Sequence, residues 1–338
     1  MTSKRTGWVF LFLSITLCIS AALELSLGPM TIPITSIPSA VWSYLHGARG
    51  TDEVVVGAIR LPRLLVAMLV GAGLASTGAV LQGIFRNPMA DPSIIGVSSG
   101  GSLGAVLTIQ FGLAQASQWY TPLGAFASGL VVVFVVYRLS TTWGRTSIYS
   151  LLLSGVAVNS FCSAIVTLVL SLAPLQTMQQ MMFWLMGGLD GSTWSECLIL
   201  AGLVTAGFLI YLSQAHALDL ISIGEEHAEG VGVSLQFTKQ VTLATSAFVV
   251  GACVSATGVI GFVGLIVPHL LRLWMGPRHR NLIPASALGG AVLMLLSDLV
   301  ARMALLPVEL NIGIVTSCLG APFFLFLLRR QELRSHRG

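Results

Sequence analysis

Apolar residues run along this chain in long unbroken stretches, not in the three-to-four spacing of a water-facing helix or the alternation of a half-buried strand. Stretches free of Lys, Arg, Asp and Glu extend from Leu64 to Phe85, Pro92 to Tyr137, Thr146 to Leu189, Cys197 to Leu218, Gln240 to Leu271 and Leu310 to Leu328. A helix crossing a bilayer needs about 20 such residues, so several stretches hold two crossings. Breaker positions divide the chain into ten predicted spans: residues 8–27, 62–84, 93–113, 120–139, 148–170, 193–213, 238–257, 258–274, 281–302 and 310–328. The eighth is short and contains Pro268, so a re-entrant segment is the alternative there. A transmembrane β-barrel is excluded, because its strands would alternate. Lys4 and Arg5 before the first span, with Ser20, Ala21 and Ala22 near a possible cleavage point, allow a secretory signal. The apolar stretch continues past Leu25 towards further spans, which favours an uncleaved first helix.

Composition sharpens this picture. The 338 residues are 55% hydrophobic and 9% charged, with mean hydropathy +0.88, against about a quarter charged in a soluble domain. With 36 Gly and 13 Pro, the helices are expected to pack closely and break locally. The predicted fold is an all-α polytopic membrane protein of about ten transmembrane helices, a single domain over residues 1–338. Cys18, Cys162, Cys197, Cys253 and Cys318 stand singly without a CxxC spacing and read as packing residues, not as disulfide or zinc partners. A cytoplasmic amino terminus places most Lys and Arg inside, among them Lys4, Arg5, Lys239, Arg272 and the carboxy-terminal Arg329, Arg330, Arg334 and Arg337. Only Arg49, Arg60, Arg63 and Arg302 then fall outside. That bias sets the expected orientation, with both termini cytoplasmic. The net charge of +4 is scattered over span ends, so it carries topology and no nucleic-acid footprint.

VGAGLASTGAV from Val70 to Val80 recurs as VGACVSATGVI from Val250 to Ile260, and Pro88 and Pro268 keep the same offset of 180 residues. Five spans separate the copies, so one fold is expected twice with inverted topology, an arrangement transporters use to place a pathway between halves. Composition alone also makes Gly-Ala-Ser-Thr helices resemble one another.

The chemistry-bearing residues are few. No GxxxxGK[ST] loop is present, so nucleotide hydrolysis, if used, comes from another chain. The longest polar stretch, within about 214–236, carries Asp219, Glu225, Glu226 and Glu229, with a short acidic helix expected between Gly224 and Gly230. It reads as a handle for a motor subunit or as a solvated loop. Arg60 and Arg63 flank Pro62 at the expected outer start of the second span, where positive charge opposes both the topology rule and the helix dipole. With Arg302, four residues after Asp298, they are candidates to receive acidic groups of a soluble partner. Snorkelling to lipid phosphates, and for Arg302 an intrahelical pair with Asp298, remain open. Met178, Met181, Met182 and Met186 cluster with Phe183 and Trp184 after the fifth span, as an adaptable outer gate, interfacial packing or soft metal ligands. Every histidine falls on the cytoplasmic side except His46 in the first outer loop, which disfavours haem coordination within the pathway. No span offers a central acidic residue of the kind ion-coupled carriers use, Asp298 being nearest. The polar lining on offer is neutral: Ser154, Asn159, Ser163 and Thr167 in the fifth span, and Thr316 and Ser317 in the tenth, which either line a path or bridge helices.

The stretch RLPRLLVAMLVGAGLASTGAVLQGIFRNPMADPSIIGVSSG from Arg60 to Gly100 resembles the signature of the FecCD permeases. GEEHAEGVGV from Gly224, TGVIGFVGLIVPHLLRL from Thr257, SDLVAR from Ser297 and GIVTSCLGAPFFLFLLRR from Gly313 extend the likeness over nearly the whole chain. These permeases are the membrane subunits of ABC importers for iron-siderophores, haem and cobalamin. The resemblance implies a homodimer in the bacterial inner membrane, without cofactor or catalytic residues. It also implies two ATPase subunits at the cytoplasmic face and a periplasmic or lipid-anchored binding protein outside. By motif position it implies docking at Arg60, Arg63 and Arg302, ATPase contact at residues 224–230, and a pathway lined by the fifth and tenth spans. The solute is expected to be a bulky metal chelate, ranked iron-siderophore, then haem, then cobalamin. An ion-coupled secondary transporter and a passive channel are the rivals.

Overall fold

The computed structural model describes residues 3–143 and 145–335; His336 and Arg337, placed above on the cytoplasmic side, lie outside the described residues. Ten principal helices follow the expected spans: α1 (Ser3–Ser26), α2 (Leu61–Ile84), α3 (Val97–Gln110), α4 (Tyr120–Ser140), α5 (Ile148–Leu172), α6 (Trp194–Ile223), α7 (Leu235–Thr257), α8 (Val263–Met275), α9 (His279–Met303) and α10 (Ile312–Ser335). Among the described residues, seven helical stretches are long and apolar enough to cross a membrane, whereas α8 and the apolar part of α10 are shorter. α3, with 14 residues, is also short. At 1.5 Å per residue, α3 and α8 reach only about 20 Å of a core about 30 Å thick.

The third span is thus narrower than the apolar window 93–113 because the chain spends Pro92–Ile95 on a 3₁₀ turn. Asp91 Oδ1 caps that turn by accepting from Ser93 N at 2.8 Å, and the left-handed Gly96 then starts α3. α8 likewise starts after a left-handed residue, Phe262. Third and eighth positions are five apart, so the two short helices occupy matching places in the two halves.

The second helix begins earlier than Pro62 suggests. Helical structure runs from Thr51 to Ile84 without a break, and its residues Val55–Arg60 form a wider π turn. Pro62 cannot donate a backbone bond, and its ring would strike the carbonyl a turn before it; widening the preceding turn relieves both constraints. Arg60 and Arg63 therefore lie inside a helix, not at its amino terminus. That terminus carries Asp52 and Glu53, the charges its dipole favours.

α2 is the axis of the bundle, buried from Val66 to Ile84 on most sides and packed by α6, α7, α8 and α9. Small residues make this possible. Gly71 lies against the Gly290 backbone of α9, and Gly78 against the Gly264 backbone of α8, with no room at either for a Cβ. The two echo segments meet in this core: Cys253 Sγ of α7 lies 3.9 Å from the Val70 carbonyl of α2. Buried hydroxyls link the same helices, Thr77 Oγ1 to Tyr211 Oη at 2.9 Å and Tyr211 Oη to Ser246 Oγ at 3.3 Å. Outside this core, α3, α4 and α5 form a second layer. α1 packs along α9 as part of the fold.

Loop contacts sort the chain into two ends. At one, which we call the arginine end, the close of α1 and the loops before α2, α6, α8 and α10 meet. At the other, the short helix Glu225–Gly230 meets α7 and the α4–α5 hairpin. α2 runs from the first end to the second and α7 returns, so the repeats are inverted.

Replacing Gly78 with Ala should cost about 1–3 kcal/mol of stability through overpacking. Ala at Gly202, which has nothing within 4 Å, should be neutral or stabilise by about 0.5–1 kcal/mol. Unfolding midpoints of the two purified variants in one detergent decide this, and equal effects would contradict the close crossing.

Candidate functional site

Three arginines separated by up to 242 positions converge at the arginine end because α1, α2 and α9 pack side by side. Arg63 grips the fully buried Asp298 with a side-on fork: Nη2 donates to Oδ1 at 2.9 Å and Nε to Oδ2 at 3.0 Å. Its Nη1 reaches outward to Asp190 at 2.8 Å and Glu309 at 3.0 Å, in the loops before α6 and α10. Arg302 Nη2 meets Glu24 Oε1 at 2.5 Å, and its Nε stands 3.3 Å from Asp298 Oδ2. Arg60 spends its donors on main chain: Nη1 donates to the Leu25 carbonyl at 2.6 Å and the Ser26 carbonyl at 3.0 Å, and Nη2 to the Met30 carbonyl. The Leu25 and Ser26 carbonyls end α1, where no helix partner exists for them, and Met30 lies in the loop that follows. Gly28 lets the chain pass between the Arg60 and Arg302 guanidinium groups.

These contacts change the expected docking rim. Arg60 is 5% exposed and Arg302 3%; Arg302 is paired with acids of the chain, and Arg60 spends its donors on main-chain carbonyls. A partner's carboxylate does not reach them as they stand, because α1 covers both. The intrahelical Asp298–Arg302 pair is present. Arg63 alone of the three extends to the surface, through Nη1. No central acid was expected in a span, Asp298 being nearest; Asp298 near the end of α9 and Glu24 near the end of α1 are both buried. Each faces an arginine, so neither is an unpaired carboxylate of the ion-carrier kind. Glu24, inside the first apolar window, was the available signal; Asp190 and Glu309, in the loops before α6 and α10, offered none.

The methionine segment is a helix, Leu175–Met186. Met181 is fully buried among Val106, Ile109 and Val166, which makes it core packing between α3 and α5 and not a free gate lip. Met178 is half-buried, and Met182 and Met186 are exposed. Asn311 Nδ2 donates to the Phe183 carbonyl at 3.2 Å, and Gly188 N to the Thr257 carbonyl at 2.8 Å, so this helix is tied to the ends of α7 and α10.

The hydroxyls of α5 divide into two sets. Asn159 Oδ1 accepts from Ser99 Oγ at 2.5 Å and thereby bridges to α3. Ser163 and Thr167 line a groove of about 210 Å³ with Ser99 and Ser102 of α3, two residues that reading α5 alone could not supply. Ser154 is half-buried and Ser317 exposed. Thr316 is corrected: it is buried and donates to the Gly313 carbonyl of its own helix at 3.2 Å, so it lines nothing in this chain.

At the other end the short helix runs Glu225–Gly230, bounded by Gly224. Glu225 is anchored to the buried Lys239 at 2.8 Å. Ala228 is fully buried against Ile221 and Leu235, which turns Glu226, His227, Glu229 and Gly230 out to solvent.

Residues 13–330 match the FecCD transport family. The chain belongs to that family. It is 46% identical to the cobalamin import system permease BtuC of Halobacterium salinarum over 289 residues, 86% of this chain and 77% of the relative. It is 42% identical to the hemin transport system permease HmuU of Yersinia pestis, over 82% of this chain and 84% of the relative. Among solved structures, an inward-facing ABC transporter of metal-chelate type superposes with a TM-score of 0.82 at 34% identity, over 96% of this chain and 99% of that one. The chain is accordingly a multi-pass membrane protein of the ABC permease class, with a transport role in place of a catalytic one.

Asp298→Asn should destabilise this permease by about 3–5 kcal/mol, since it leaves two buried guanidinium groups without their shared acid. Asp190→Asn, at a carboxylate 70% exposed, should cost about 1 kcal/mol or less. Thermal unfolding in detergent compares them; similar losses would refute the assignment of Asp298 as the buried hub.

Proposed function

We propose that the chain is one half of a homodimeric permease importing a bulky metal chelate. Two ATPase subunits bind at the end bearing residues 224–230, and a periplasmic or lipid-anchored binding protein docks at the arginine end. The observation that carries this reading is where the polar groups of α5 point. Ser160, Ser163, Thr167 and, on α10, Ser317 are exposed on the flank of the single chain, outside its core. Ser160 and Thr167 donate to the Val156 and Ser163 carbonyls of their own helix at 2.9 Å, which lets them tolerate an apolar surround. A path lined by these residues lies between two copies, where each contributes the α3–α5 groove.

At the arginine end, docking centres on Arg63. A carboxylate of the binding protein takes its outward Nη1, displaces Asp190 and Glu309, and so frees the loops before α6 and α10. Arg60 and Arg302 hold the platform under it. Below, Glu226 and Glu229 face the motor while Glu225 fastens the short helix to α7. The arginine end faces outward and both termini face the cytoplasm, in keeping with the charge bias.

For the solute, the relatives named for cobalamin and hemin support a metal held in a large macrocycle ahead of the ferric siderophore that the sequence alone ranked first. Neutral hydroxyls and the exposed Met182 suit such a cargo, which arrives chelated and needs no ligand from the protein.

Purified permease, ATPase and binding protein in vesicles should accumulate cobalamin or haem only with ATP and all three components present. Uptake that an uncoupler abolishes while ATP persists would instead assign an ion-coupled carrier. Glu226→Lys with Glu229→Lys should leave the complex assembled but remove solute-stimulated ATP hydrolysis; retained stimulation would refute the motor contact.

A further inference from the structure

At the end opposite the arginine cluster, a cavity of about 260 Å³ opens between the last turn of α2, the end of α6 and the turn joining α8 to α9. Arg86, Arg272 and His279 line it, with Gln82 and Ser222, and no carboxylate does. Arg272 Nε and Nη2 are sealed from solvent and without a hydrogen-bond partner, as are Gln82 Oε1 and His279 Nε2. The nearest acid of the α6 end is already committed, since Asp219 Oδ1 accepts from both His279 N and His279 Nδ1 at 2.7 Å. Gly83 is what admits the imidazole: a Cβ there would collide with Nε2. Arg86 sits at φ 50°, a left-handed conformation uncommon outside glycine, which sets its exposed side chain at the cavity mouth.

The contrast with the arginine end is one of charge balance. There, Arg63 and Arg302 face Glu24, Asp298, Asp190 and Glu309 of the same chain. Here Asp219 answers the imidazole of His279, but the largely buried Arg272 has no acid beside it and Arg86 stands unpaired at the mouth; guanidinium groups withdrawn from water are retained in proteins where an anion pairs them. The lining lies among α2, α6, α8 and α9, away from the lipid-facing flank, and its volume suits a small ion.

We propose that this cavity binds a free oxyanion of the phosphate class, held by Arg86 and Arg272. A doubly charged tetrahedral ion matches two forks arriving from separate elements better than a single carboxylate does. Binding turns the Arg272 guanidinium from its sealed position into the cavity. The site rests on this chain's own residues and stands whatever the transported solute.

The test is the unfolding midpoint of the purified full-length chain in detergent, titrated with inorganic phosphate and with sodium chloride or acetate at equal ionic strength. Phosphate should raise the midpoint saturably and the other salts should not. Arg272→Gln and Arg86→Gln should each weaken the phosphate response roughly tenfold, the loss expected for one charge-assisted bond. Arg86 is exposed, so R86Q decides the matter if R272Q fails to fold. An unchanged response in R86Q, or equal stabilisation by chloride, overturns the site. A response to acetate alone overturns the phosphate assignment. Competition by added phosphatidylglycerol assigns the cavity to a lipid headgroup and overturns the free-ion reading.

Discussion

A guanidinium removed from water needs its donors answered by the protein, and in this permease that demand organises the arginine end. Asp298 is shared between Arg63 and Arg302, Glu24 answers Arg302 from another helix, and the frayed carbonyls of α1 answer Arg60. One buried cluster thereby fastens α1, α2 and α9 to each other and, through the outward side of Arg63, holds two loops. Removing a partner from such a set costs more than forming it gains, so the cluster specifies one arrangement of helices more than it adds raw stability.

The same cluster reaches beyond the helices it fastens. Loops held by Asp190 and Glu309 adjoin the methionine helix and the start of α10. The outward edge of Arg63 thus reaches these connecting loops, while its inward edge and Asp298 tie the underlying helices together. Glycine crossings along α2 bring the backbones of α8 and α9 into direct contact with it.

Much of this was legible in the chain. Continuous apolar runs located all ten segments, although helical structure extends ten residues past the sixth window and begins eleven before the second, and the echo of residues 70–80 in 250–260 marked helices that touch in the core. The expected charge bias singled out Arg60, Arg63 and Arg302, and the structure brings all three to one end of the bundle. Hydropathy could not show that the explanation is internal, because Arg63 and Asp298 are 235 positions apart and pair only once α2 lies on α9. Pro62 misled as a helix start, since a π turn lets helical structure pass through it from a polar segment that carries no apolar signal. Thr316 misled for another reason: a hydroxyl reads alike whether it faces a path or bonds its own backbone.

The central claim, that Arg63 and Asp298 form the buried hub of the arginine end, is tested most directly by a double-mutant cycle. Arg63→Gln, Asp298→Asn and the pair are compared for unfolding free energy. The account predicts a coupling of about 1.5 kcal/mol or more, with the double variant losing less than the two single losses together. Losses that add to within about 0.5 kcal/mol would contradict it.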